Sequence, residues 1–360
     1  MPLKQSGNSI TAETDNFNPM NPLVTIVVPC FNEEKFIGNL LENILRQDYP
    51  RDRMEIFVID GMSTDRTREI VTGYAAAFPM IRLLDNEKRY VPFALNLGIK
   101  NAKGDIFLRM DAHAGYPPDY VSSLIGSLEE FHADNAGGVW ITRPAGTSVK
   151  AKAIAAAASS PFGVGNALYR IGVREARKAD TVPFGCYPMQ VFDRIGMFDE
   201  ELLRNQDDEF NARLIRNGGS IWLIPSVKID YFPRNSVGAT MKMFYQYGLF
   251  KPLVNRKIGM PATLRQLAPP LLVLLLAAIV PAFFIVPAAG YALLGAAAIY
   301  LLTDLFFTVQ ACVKNRSAAL VGYLPWLYFL IHVAYGIGYI TGIFRFLLFR
   351  WKPASISASR

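Results

Sequence analysis

In the stretch DIFLRMDAHAGYPPDY (105–120), a short apolar run ends at Asp111, and His113 follows two positions later. The chain has only three histidines, so one placed beside an acid at the end of a buried run is a candidate for chemistry. A carboxylate oxygen and an imidazole nitrogen can share one divalent cation. The imidazole moves the preference from Mg2+, which favours all-oxygen shells, toward Mn2+. Two protein ligands would leave the remaining coordination positions to water or a diphosphate. The competing reading has Asp111 capping a turn and His113 simply exposed.

A second group, in NQDDEFNARLIRNGG (205–219), sets Asp207, Asp208 and Glu209 in succession. Three consecutive acids do not belong in a core. They either act on a substrate or decorate a helix N-terminus, where the macrodipole favours negative charge.

The bulk composition narrows the function classes. The 360 residues are 51% hydrophobic, and the formal charge is +7. That charge suits an anionic membrane surface or nucleic acid. The membrane is preferred, because basic residues flank apolar segments and no aromatic-plus-basic motif for nucleic acid is present. Three lone cysteines, Cys30, Cys186 and Cys312, indicate neither a disulfide framework nor a thiolate metal site. The polar start of the chain lacks the apolar stretch of a secretory signal and reads as a flexible tail over 1–22.

Strands and helices must bring the candidate residues together. The β-branched run LVTIVVPC (23–30) predicts a strand buried on both faces. Asn32 is expected to cap the next helix, with Glu33 and Glu34 at its positive end. Ile37, Leu40, Leu41, Ile44 and Leu45 recur on one helical face. Further strands are expected at 54–60, 81–84 and 106–110, with helices at 64–77, 92–101 and 117–131. This alternation predicts an α/β fold with a mostly parallel sheet and helices on both faces. Ligands in such sheets bind beyond the carboxyl ends of the strands, here 31–33, 60–63, 85–89 and 111–113. Past 131 the spacing predicts a strand at 137–141, helices at 151–158 and 207–216, and a Gly/Pro-punctuated loop at 182–190. Two short strands, 222–224 and 227–231, should flank Pro225.

After 234 the character changes. Met241, Phe244, Tyr245 and Gly248 lie at helical spacing with Lys242, Gln246 and Lys251 between them. This is either an interfacial amphipathic helix or an ordinary core-packing one. Runs at 267–286 and 291–312 are each long enough to cross a bilayer, and Asp304 is their only acid. A third run, 318–344, either crosses or lies partly in the interface. Lys251, Arg256, Lys257 and Arg265 before the first run, with Lys314 and Arg316 after the second, put both ends of that pair on the cytoplasmic side. The tail residues Arg345, Arg350, Lys352 and Arg360 conflict with a third full crossing, so either the third segment is re-entrant or the charge rule fails once; two or three crossings remain open, with three placed first.

Residues 23–235 resemble the inverting family 2 glycosyltransferases of the GT-A fold. The resemblance rests on VVPCFNEE, VIDGMSTDRT, NEKRYVPFALNLG, RMDAHA and NQDDEFNARLIRNGG, in that order. Within the family the chain looks closest to membrane-anchored glucosyltransferases of succinoglycan-type exopolysaccharide assembly, where Asp-Ala-His replaces the usual Asp-x-Asp.

The resemblance implies roles for individual residues. Pro29, Phe31 and Glu33 would line the nucleoside pocket, and Asp60 would read the base, usually uracil. Arg89 would face the nucleotide phosphates, and Asp111 and His113 would hold a divalent cation, Mn2+ ahead of Mg2+, on the diphosphate. Asp207 matches the catalytic base, with Asp208 as rival, and Gln206 replaces the glutamate before it on the substrate side. The stretch 182–190 matches the loop between donor and acceptor sites. The Gln-x-x-Arg-Trp motif of processive synthases is replaced by QYGLFK (246–251), which favours transfer of a single sugar.

The expected organisation is a GT-A nucleotide-sugar-binding domain over 23–235 and an interface region over 236–265. Transmembrane helices over 266–345 and a basic tail over 346–360 follow. The expected activity is transfer of a sugar, glucose first among candidates, from a UDP-sugar donor to a lipid-linked saccharide acceptor. The setting would be a bacterial inner membrane, multi-pass, with the catalytic domain cytoplasmic. The rivals are a polyprenyl-phosphate glycosyl synthase and a membrane-anchored nucleotide-sugar-binding protein without activity.

Overall fold

The run at 23–30 forms β1 (Val24–Cys30), buried at every position except Pro29. In the computed structural model, which describes residues 21–259 and 263–351, β1 is the centre of a parallel set. It pairs with β2 (Met54–Asp60) and β4 (Ile106–Arg109), and β2 pairs with β3 (Ile81–Asp85). Helices α1 (Ile37–Leu45), α2 (Thr67–Ala77), α3 (Val91–Asn101) and α4 (Tyr120–Glu130) make the crossovers. Alternate residues of β1 serve opposite faces. Val24, Ile26 and Val28 pack with α1, whereas Val27 packs with Ala94 and Leu95 of α3. The expected tails lie mostly outside the described residues, including Lys352 and Arg360.

Asn32 does not cap α1. It adopts a left-handed φ of 54°, and α1 begins only at Ile37. The Glu33 carbonyl accepts hydrogen bonds from the Phe36 and Ile37 amides, both at 2.9 Å. The Asn32 side chain instead accepts from the Thr64 N–H at 2.8 Å, which ties the loop after β1 to the loop after β2.

Beyond α4 the sheet becomes mixed. The short β5 (Ala114–Gly115) and β7 (Arg177–Lys178) run antiparallel to β9 (Ile221–Tyr231), which is parallel to β6 (Asn135–Thr142). The expected loop at 182–190 contains β8 (Cys186–Pro188), an antiparallel strand between β4 and β6. Its short length and flanking Gly and Pro hid it, but neighbours on both sides bury Cys186 and Tyr187 completely enough to hold it. The two strands expected around Pro225 are one, because the register jumps from Gly138–Ile224 to Val139–Lys228 and Pro225 sits in the bulge.

Helices α5 (Val149–Ala158), α6 (Pro161–Val164), α7 (Leu168–Ile171) and α8 (Gln190–Ile195) lead to α9 (Gln206–Arg216). The next helix, α10 (Val237–Ile258), packs one face into the protein, where Met243, Phe244, Gln246, Gly248 and Leu249 are all buried. It is followed by α11 (Ala268–Ile285), α12 (Pro287–Lys314) and α13 (Leu324–Gly342). Glycines let α10 and α13 approach at backbone distance. A Cβ on Gly248 would lie 2.1 Å from the Tyr335 carbonyl oxygen, and one on Gly338 the same distance from that of Tyr245.

Three helical segments are long and apolar enough to cross a membrane. Their surroundings differ. The most apolar window is 11% buried in each of the first two and 44% buried in the third, Leu324–Leu348. Two helices thus present hydrocarbon outward, and the third is packed on the rest of the protein.

Candidate active site

A cleft opens at the carboxyl ends of β1 and β4, lined by Pro29, Phe31, Glu33, Asp111, His113, Arg204 and Arg234. Parallel β-strands project their last residues here because the chain leaves the pleat and turns into the crossovers. His113 Nε2 lies 3.3 Å from Glu33 Oε2, and the ring packs on Phe36 at 4.8 Å. Burial, and then the Arg234 charge, lower the His113 pKa, which keeps a neutral imidazole lone pair at pH 7.

Asp111 is held by Arg109 in a two-pronged ion pair, with Nε and Nη2 each 2.7 Å from a carboxylate oxygen. The Arg109 guanidinium is half-buried over Phe184, 5.7 Å from its ring centre. Burial alone would lower its pKa, but Asp111 and, further off, Asp207 raise it. Arg109 therefore stays charged within the field of both carboxylates.

Two expected residues take other places. Asp60 is completely buried and accepts from the Ser63 amide at 2.9 Å and from Arg68 Nη1 at 2.8 Å. Its carboxylate closes the turn after β2 and does not line the cleft. Arg89 is exposed in the loop before α3 with a φ of 66°, and the cations lining the cleft are instead Arg204 and Arg234.

The acids of NQDDEF open α9, with Gln206 buried as its first residue. Asp208 is ion-paired with Lys251 of α10. Asp207 has no ion pair among the described residues. Burial, and then the neighbouring Asp208, raise its pKa, partly opposed by Arg109. Asp207 also lines a second cavity of about 490 Å3, walled by residues of α10, α11, α12 and α13.

The donor set suits a cation that arrives with a ligand. Asp111 and His113 offer one oxygen and one neutral nitrogen to the same cleft. Among the described residues no group of three or more His, Cys, Asp or Glu is arranged to hold a metal. A cation there needs further ligands from a diphosphate or water, and Asp111 must loosen its bond to Arg109.

Sequence reasoning missed Arg109, Arg204, Arg234 and the partner of Asp208. Arg109 had a signal, since a charge closing the apolar run IFLR has no place in a doubly buried strand. The pairing of Lys251 with Asp208 had none, because it spans two helices 43 positions apart.

The strand order, the cleft at the strand ends and the acids opening a following helix are those of the GT-A fold. Residues 25–196 match the Glycosyl transferase family 2 model. The chain is 30% identical over 328 residues to the dolichyl N-acetyl-alpha-D-glucosaminyl phosphate 3-beta-D-2,3-diacetamido-2,3-dideoxy-beta-D-glucuronosyltransferase of Methanococcus voltae, covering 89% of this chain and 97% of that one. It is 31% identical over 246 residues to the succinoglycan biosynthesis protein ExoA of Rhizobium meliloti, covering 68% and 73%. Among solved structures, the mannosyltransferase PcManGT of Pyrobaculum calidifontis, in complex with GDP-Man and Mn2+, aligns with a TM-score of 0.58 at 21% identity, covering 88% and 87%. This chain belongs to glycosyltransferase family 2 and is a glycosyltransferase.

Proposed function

We propose that the enzyme inverts configuration while moving one sugar, glucose in the first instance, from UDP to a hydroxyl of a lipid-linked saccharide. The product would belong to an exopolysaccharide or envelope glycan. The observation that supports this reading is that Asp111 and His113 line the strand-end cleft, with Asp111 ion-paired to Arg109, while Asp207 lines the cavity walled by the last helices. The names of the Methanococcus and Rhizobium relatives support a lipid-borne acceptor and an exopolysaccharide product.

Pro29, Phe31 and Glu33 line the cleft that takes the nucleoside. Asp60 is assigned to base recognition by resemblance only, and would act through the turn that it closes. The basic charge near the diphosphate comes from Arg204 and Arg234, with Arg89 reaching in only if its loop closes. Asp111 and His113 would hold a divalent cation, Mn2+ ahead of Mg2+, which neutralises charge on the departing diphosphate.

Asp207 serves as general base. Lys251 occupies Asp208, so the neighbouring carboxylate is the one left for the acceptor, and Gln206 sits at the same helix start. A raised pKa makes Asp207 a better proton acceptor than an ordinary carboxylate. It takes the acceptor hydroxyl proton as the oxygen bonds to the sugar C1. The bond from C1 to the diphosphate breaks, and its electron pair leaves with UDP. One displacement and no enzyme nucleophile convert an α-linked donor into a β-linked product. General-base help of this kind is worth about 10²–10⁴ in rate.

Two crossings fit the membrane region. The exposed hairpin of α11 and α12 would span the bilayer, while α13 lies along α10 beside the catalytic domain. The Arg256 guanidinium donates to the Phe346 carbonyl at 2.7 Å, which ties the end of the apolar region back to α10. Both ends of the described chain then remain on the cytoplasmic side, and the positive tail no longer conflicts with the charge rule. Incubating purified enzyme with UDP-glucose and extracted membrane lipid tests the function: it should yield one glucose per acceptor, and free UDP without a glycolipid would refute it.

A further inference from the structure

The cavity beside Asp207 contains polar groups without partners. The Gln266 side chain is 4% exposed, and neither its Oε1 nor its Nε2 has a hydrogen-bond partner among the described residues. Arg170, 7% exposed, stacks 4.4 Å from the centre of the Trp140 ring, and its Nη1 is likewise unpartnered. No described carboxylate forms an ion pair with Arg170. Buried groups of this kind are costly unless something else satisfies them. The other cations of the cavity are taken, Lys251 by Asp208 and Arg265 by Asp180.

Gln266 enters the cavity from a 3-10 turn (Leu264–Leu267) that leads into α11, and Arg170 enters from α7. Leu272, Phe307 and Ile331, one from each of the last three helices, form apolar wall. The cavity thus combines a cation that bonds the Tyr169 hydroxyl through Nε but has no ion pair among the described residues, a carboxamide able to donate and accept at once, hydrocarbon walls and Asp207. Those are the complements of an anion, a sugar hydroxyl or acetamido group, a lipid chain and a nucleophilic hydroxyl.

We infer that this cavity takes the acceptor as an isoprenoid-linked sugar phosphate, with Arg170 meeting the phosphate and Gln266 binding the acceptor sugar. This rests on the lipid-linked acceptor of the proposed function and adds the residues that recognise it. A free sugar phosphate would leave the apolar wall wetted, so the lipid chain is part of the recognition.

The test uses the full chain in detergent, with Trp140 beside Arg170 as the fluorescent reporter. Farnesyl phosphate should change the emission saturably at concentrations where farnesol and inorganic phosphate do not. Farnesyl-phosphoryl N-acetylglucosamine should bind at least tenfold tighter than farnesyl phosphate. Gln266→Leu should remove that gain, keep farnesyl phosphate affinity and leave Tm unchanged or higher, because it deletes an unsatisfied amide. Arg170→Lys should weaken farnesyl phosphate tenfold or more. Equal binding of farnesyl phosphate and inorganic phosphate, or an undiminished sugar gain in Gln266→Leu, would overturn the inference. UDP titration of the same samples separates the two readings: intact UDP binding with either of those results removes this inference and leaves the donor assignment standing.

Discussion

Lys251 holds Asp208 in an ion pair, and the adjacent Asp207 faces the same cavity with no ion pair among the described residues. That pairing separates the two carboxylates that the sequence offers as candidate base and rival. It also bears on how Asp207 titrates. Burial and the Asp208 charge push the Asp207 pKa above the usual carboxylate range, while Lys251 and Arg109 pull it back.

The acidic limb of the kcat/KM profile should therefore lie above the ordinary carboxylate range. Asp208→Asn removes a charge that raises the pKa and frees Lys251 to lower it, so the limb should move to lower pH with transfer retained. Lys251→Met should move it to higher pH. A limb that stays in place in both variants would remove Asp207 as the titrating base.

Stability should follow the same charge. The folded pKa of Asp207 is raised, so ionising it costs the folded state more than the unfolded chain. The cost is absent below the unfolded pKa and complete once pH has risen through the folded one. Asp207→Asn should accordingly raise Tm near neutral pH, and the gain should vanish in acid. Thermal unfolding at several pH values checks this, and a lower Tm for the variant at pH 7 would contradict it.

Nucleotide binding should depend on the cation. Calorimetric titration should find UDP bound roughly tenfold tighter, about 1.4 kcal/mol, with Mn2+ than in chelator. Asp111→Asn should abolish the difference, and His113→Ala should erase any advantage of Mn2+ over Mg2+. Equal affinity for UDP with and without cation would remove Asp111 and His113 as a metal pair.

Membrane topology can be read by cysteine labelling in intact cells. Ala288→Cys, exposed in the first turn of α12, should react with an impermeant maleimide. Trp351→Cys should react only after permeabilisation. Labelling of both from outside would mean that α13 crosses as well.

Much of the parallel half of the sheet was legible because strands buried on both faces need β-branched runs, and β1 and β2 have them. The placement of Asp111 and His113 in one cleft followed from where such strands end. The mixed half was harder. β8 is three residues long and owes its conformation to Ile106–Leu108 on one side and Ala136 on the other, neither of which is local. Asp60 and Arg89 show what residue-by-residue carry-over does not supply: the Asp60 carboxylate is bonded within its own turn, and Arg89 lies exposed in the loop before α3. The amphipathic pattern of α10 was ambiguous because the glycines that seat it against α13 look like gaps in an apolar face.

The most direct test of the account is incubation of membranes containing the enzyme, or its Asp207→Asn variant, with a panel of labelled nucleotide sugars, followed by lipid extraction. The account predicts a glycolipid lengthened by one β-linked sugar, formed from a UDP-sugar and missing with the variant. A ladder of lengths, an α-linkage, or undiminished product from Asp207→Asn would contradict it.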